Sequence, residues 1–126
     1  MDYSTEVRQR FSAPVRAGEV LPAVGGVLEG SAEDRSLGVW IRFQISVQGA
    51  SIARVRFRAF GCPHTLAAAD LVAASLEGEP VDALTAVDLD ALARQIDLPR
   101  AKHGKLLRLE DALIACHRQA VRKRQG

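Results

Sequence analysis

One cysteine sits where a cysteine can do chemistry. The run Phe57-Arg58-Ala59-Phe60-Gly61-Cys62-Pro63-His64 passes from an alternating, strand-like pattern into Thr65-Leu66-Ala67-Ala68-Ala69, an Ala/Leu-rich helical pattern. With Pro63 as the first helical residue, Cys62 is the cap, and its sulfur faces backbone N–H groups that have no partner within the helix. The partial positive charge of a helix start favours thiolate over thiol. A thiolate so placed can ligate a soft metal, accept sulfur or attack an electrophile. The second cysteine, Cys116, falls on an apolar helical stripe and reads as core. Two cysteines do not make a disulfide framework.

Composition sets the frame for that thiolate. The 126 residues are 48% hydrophobic and 25% charged, with a net charge of +2. This fits one domain, residues 1–126, around one modest core. So small a net charge gives no reason to expect nucleic acid. The basic cluster Arg118, Arg122, Lys123 and Arg124 reads as a solvated helix end that complements the dipole. No run approaches the ~20 apolar residues that span a membrane. The start, Met1-Asp2-Tyr3-Ser4-Thr5-Glu6, has no basic region followed by an apolar run, so the expected location is the cytoplasm.

The elements that must position Cys62 follow from periodicity. Asp2 or Ser4 can cap a first helix with Tyr3, Val7 and Phe11 on one face, ended near Pro14. A short strand is expected near 24–29, then an exposed loop over 30–38. Val39, Ile41, Phe43, Ile45 and Val47 alternate with polar neighbours. After a turn at 48–51, Ala53, Val55, Phe57 and Ala59 alternate with Arg54, Arg56 and Arg58. Two such strands joined by a Gly-containing turn predict an antiparallel hairpin with one buried face. A helix is expected over 63–76, stopped by Gly78 and Pro80. Another starts at Thr85 or Asp88 and runs through Ile96, and Pro99 breaks it. Residues 100–105 read as a loop or the beginning of a last helix, whose stripe is Leu106, Leu109, Leu113, Cys116 and Ala120. The predicted fold class is α+β: a small three-stranded antiparallel sheet with helices packed on one face.

Several stretches together resemble the IscU/NifU N-terminal family of iron–sulfur cluster assembly scaffolds. The strongest is Arg56-Phe57-Arg58-Ala59-Phe60-Gly61-Cys62 with its small-residue helix. Leu98-Pro99-Arg100-Ala101-Lys102 is similar to the family's Leu-Pro-Pro-Val-Lys segment, Glu110-Asp111-Ala112-Leu113 to the start of its last helix, and Tyr3-Ser4 to its opening. The resemblance implies a SufE/NifU-like fold. It implies a non-enzymatic role in cluster biogenesis, with a transient iron–sulfur cluster, a cysteine desulfurase as sulfur donor and an Hsp70-type chaperone binding at Leu98, Pro99 and Lys102. The family holds its cluster with three cysteines from three loops. Here the first corresponds to Leu37 in Leu37-Gly38-Val39 and the third to Lys105 in Gly104-Lys105, so only Cys62 remains.

That loss shapes the expectations for the site. Cys62 is the expected sulfur- or cluster-bearing thiol. His103, beside the lost third cysteine, and Asp34 or Glu33, in the loop of the lost first, are the candidate additional ligands; with Cys62 they suit Fe or Zn ions. A sulfide cluster would need two protomers to share it. Lys102 and Lys105 are candidates for lowering the Cys62 pKa. His64, in the first turn of a helix, reads as a surface residue. One thiolate is also sufficient for a persulfide carrier of the SufE type, and a regulatory partner of a desulfurase or chaperone is a further reading. No Ser/His/Asp spacing, phosphate loop or His-x-x-x-His pair supports hydrolase or transferase chemistry.

Overall fold

The computed structural model describes residues 26–100 and 103–125. The expected first helix with Tyr3, Val7 and Phe11 lies outside the described residues. Three strands, β1 (Val27–Asp34), β2 (Val39–Gln48) and β3 (Ser51–Phe60), form an antiparallel sheet in the order β1-β2-β3. A 3-10 turn, Arg35–Leu37, joins β1 to β2. Helix α1 (Pro63–Leu76), a 3-10 turn (Val81–Thr85), α2 (Leu89–Gln95) and α3 (His103–Gln125) complete the described chain.

The hairpin follows the alternation. Phe43 pairs with Phe57 and Ile45 with Val55. All four are buried, and the two rings meet at 6.4 Å between centroids, tilted by 57°. Gly49 makes the tight turn at a φ of +63°, which a side chain disfavours. Near that turn the phase differs from expectation. Ile52 is buried and Ala53 is exposed, because a register shift between Ser46 and Val47 moves the strand by one residue. A bulge of this kind turns every side chain beyond it to the opposite face.

The larger correction concerns residues 30–34, expected as an exposed loop and found as the second half of β1. Gly30 is the reason. A Cβ there would collide with the Ala112 carbonyl oxygen and stand 2.7 Å from the Cys116 amide nitrogen. The glycine thus lets α3 lie against the sheet, an approach that reads in the sequence as loop composition.

α1 and α3 cover the same face of the sheet and close one core, which holds Leu109, Leu113 and Cys116 of α3 together with Phe43 and Ile45. Asp88 caps α2 by accepting from the Ala91 amide at 3.0 Å. Both outer edges of the sheet are blocked near their starts. On β1 the Glu29 amide donates to Gln119 Oε1 at 2.8 Å, and Lys123 Nζ donates to the Val27 carbonyl at 3.1 Å. On β3 the Ile52 amide donates to the Glu79 carbonyl, the Gly78 amide to the Ile52 carbonyl, and the Val55 amide to Glu77 Oε2. Among the described residues no helix is long and apolar enough to cross a membrane.

Candidate functional site

β3 ends at Phe60, and α1 starts at Pro63, leaving Gly61 and Cys62 as the junction. Cys62 is the N-cap of α1, in an extended conformation, with Pro63 at the first helical position. Its carbonyl already accepts from the Thr65 and Leu66 amides at 2.9 and 3.2 Å. The side chain is part-buried, and Sγ lies 3.6 Å from Thr65 Oγ1. From the other end of the chain, Lys105 in the first turn of α3 brings Nζ to 3.5 Å from Sγ.

These neighbours set the charge on the sulfur. Partial burial acts to raise the Cys62 pKa. The Thr65 amide and hydroxyl, the His64 amide and the Lys105 charge act to lower it, and together they prevail, so the thiol sits below its ordinary value. Helix position and nearby cation push the same way, which makes the direction a consequence of the geometry. Cys116 is the opposite case. It is fully buried, with Sγ 3.7 Å from the Phe43 carbonyl, and desolvation reinforced by the Glu29 charge pushes its pKa up to about 12. It is an inert core thiol.

The remaining candidates lie as follows. Leu37 is exposed at the end of the β1–β2 turn and packs toward the start of α3: a Cβ on Gly104 would stand 3.6 Å from Leu37 Cδ1. The Cys62 junction and the Leu37 turn therefore both meet the first turn of α3, the former at Lys105 and the latter at Gly104. Asp34 caps the 3-10 turn, accepting from the Ser36 hydroxyl and the Ser36 and Leu37 amides, which hold its carboxyl below the usual range. His103 places Nε2 3.1 Å from the Leu98 carbonyl. Among the described residues no three His, Cys, Asp or Glu side chains gather to hold a metal ion, so Cys62, His103 and Asp34 do not form one group. His64, expected at the surface, is buried. Leu98 is buried as well, leaving Pro99 and Arg100 exposed. Lys102 lies outside the described residues.

Part of this arrangement has a signal in the sequence. Residues two apart on a helix point roughly 200° apart around its axis. Once α3 begins at His103, only one of His103 and Lys105 can face Cys62. What a sequence reading misses is where the helix begins.

Known proteins share both the sequence pattern and the fold. Over 127 aligned positions the chain is 26% identical to "Iron-sulfur cluster assembly scaffold protein IscU" of Escherichia coli K12, covering all of this chain and 99% of that one. It is 25% identical to "Iron sulfur cluster assembly protein 2, mitochondrial" of Saccharomyces cerevisiae, covering 97% of this chain and 80% of that protein. The crystal structure of an N-terminal NifU-like protein from Brucella abortus superposes with a TM-score of 0.71 at 18% identity, covering 95% of this chain and 94% of that one. FiSufU from Fervidobacterium islandicum AW-1 gives the same TM-score at 14% identity, covering 91% and 96%. These two likenesses bear on the fold, which they share with the α+β architecture described above. The family model of the NifU-like N terminal domain matches residues 2–125, and the chain belongs to that family.

Proposed function

We infer that this protein works in iron–sulfur cluster assembly as a scaffold-type protein, with Cys62 as the thiolate that takes up sulfur. The observation that carries the reading is the pairing of Cys62 Sγ with Lys105 Nζ at 3.5 Å, at a helix N-terminus, within a family fold matched over nearly the whole chain. The sulfur donor in this reading is a cysteine desulfurase carrying a persulfide. The Cys62 thiolate attacks the sulfane sulfur, the S–S bond to the desulfurase cysteine breaks, and that cysteine leaves as a thiolate. Sulfur then rests on Cys62 as a persulfide, carried once per loading without turnover by this protein.

The donors of one chain do not fit a cluster held by three thiolates. Two of the corresponding positions are Leu37 and Lys105, which supply none. A cluster assembled here would take its other ligands from a second copy, as a homodimer sharing one site. Among the described residues of the 98–102 segment, the exposed Pro99 and Arg100 are those that a chaperone of the Hsp70 type would meet. The compartment in this reading is the cytoplasm.

The persulfide-carrier alternative is favoured by one feature, the replacement of a ligand by an ammonium group. Anaerobic incubation with iron, cysteine and a cysteine desulfurase, with Cys62→Ser alongside, tests both. Bound iron and acid-labile sulfide in the wild type, lost in the variant, are the expected outcome for the scaffold. A Cys62 persulfide with no bound iron replaces the scaffold reading with the carrier. Sulfur uptake unchanged in Cys62→Ser overturns both.

A further inference from the structure

We propose that Lys105 is an acyl-lysine site loaded through Cys62, with reactive acyl thioesters as the substrate class. The juxtaposition that suggests it is a thiolate and a primary amine 3.5 Å apart, both part-buried and neither fully enclosed. Thiolates exchange readily with thioesters, whereas amines at neutral pH are mostly protonated and react slowly in bimolecular encounters. A thiol that captures the acyl group beside an amine removes the need for that encounter. An acyl carbon bonded to Sγ would lie within reach of Nζ, and groups held together in this way gain the large effective concentrations of intramolecular reactions.

The chemistry balances without an oxidant. Cys62 Sγ attacks the thioester carbonyl carbon. A new S–C bond forms, the old one breaks, and the donor thiol leaves as a thiolate. Lys105, after giving one proton to solvent base, attacks the same carbon. The N–C bond forms, the Sγ–C bond breaks with its electron pair returning to sulfur, and the nitrogen loses a second proton to water. The products are an amide on Lys105 and a regenerated Cys62 thiolate. The amide carries no charge, so the sulfur loses the cation beside it.

This second step also has an internal comparison. Lys123 donates to the Val27 carbonyl, at the end of the sheet away from Cys62. It reports the rate at which an ordinary lysine of the same chain acylates.

The proposal rests on Cys62 being a nucleophilic thiolate, as in the reading above, but its readout is acyl mass and not sulfur. The full chain is incubated with acetyl-coenzyme A at mildly alkaline pH, quenched in acid and mapped by peptide mass. Acetylation of Lys105 at least about tenfold faster than Lys123 is expected. Cys62→Ser brings Lys105 down to the Lys123 rate, and Lys105→Arg leaves a hydroxylamine-labile acetyl group on Cys62. Equal rates at the two lysines, a Lys105 rate unchanged in Cys62→Ser, or no thioester in Lys105→Arg overturns the relay. Wild-type protein that takes up sulfur on Cys62 yet fails these tests overturns the relay alone; sulfur uptake unaffected by Cys62→Ser overturns the functional reading instead.

Discussion

Lys105 Nζ lies 3.5 Å from Cys62 Sγ, joining two helix beginnings 43 residues apart in the chain. The pair is part-buried and reachable by solvent, so its electrostatic worth is that of a screened pair, about 0.2–1 kcal/mol. Lys105→Met therefore slows alkylation of Cys62 by iodoacetamide at neutral pH by roughly 1.4- to fivefold. The difference shrinks in 1 M salt, where the Debye length falls to about 3 Å. A rate unchanged by the substitution at low salt removes Lys105 from the control of this thiol.

The same pair fixes the sign of one pH dependence. The folded-state pKa of Cys62 is depressed, so the thiolate contributes stability above the ordinary thiol pKa. That contribution is lost as pH falls through the depressed value. Wild type and Cys62→Ser are expected to converge in urea midpoint toward acid and to separate toward alkaline pH, the wild type gaining. Divergence in the opposite sense shows a thiol that folding holds neutral.

Gly30→Ala tests how β1 is held. The added methyl would press on the Ala112 carbonyl and the Cys116 amide, both backbone groups of α3 that cannot turn aside. Overpacking of this kind costs about 1–3 kcal/mol, read as a lower urea midpoint at unchanged slope. A neutral Gly30→Ala means that α3 does not lie on the strand as described.

Cys116 gives a simple count. In native protein a thiol reagent is expected to titrate one cysteine quickly, Cys62, and the second only on unfolding. Cys116→Ser places a hydroxyl in an apolar site and costs about 1–3 kcal/mol, while sulfur uptake stays intact. Loss of uptake in this variant puts Cys116 in the working site.

Much of the architecture was legible because period-two and helical patterns are local. β2, the second half of β3, α1 from its proline start and the buried stripe of α3 all follow from spacing. Where the reading departs from the structure, the cause lies between elements. Gly30 resembles a loop residue until α3 is packed on it. Ile52 trades faces with Ala53 because of a register shift that no residue type announces. His64 is buried by what packs over the start of α1. The site divides in the same way. Cys62 was visible from its junction, but its distance to Lys105 needs two distant elements in place. Asp34 was a free carboxylate in the sequence and is occupied by its own turn in the structure.

The blocked strand edges have a consequence for how the sheet can associate. Gln119 and Lys123 seal the start of β1, and the 77–81 segment seals the start of β3. β1 and β3 run in the same direction through the sheet, so both seals fall at the end where those strands begin, opposite the end that leads to Cys62. Exposed edges invite further strands, and so fibrils. Here a growing fibril would first have to displace side chains and backbone at one end of the sheet. The far end of the sheet is thereby closed to β-strand addition, and the end that leads to Cys62 is left clear of these seals.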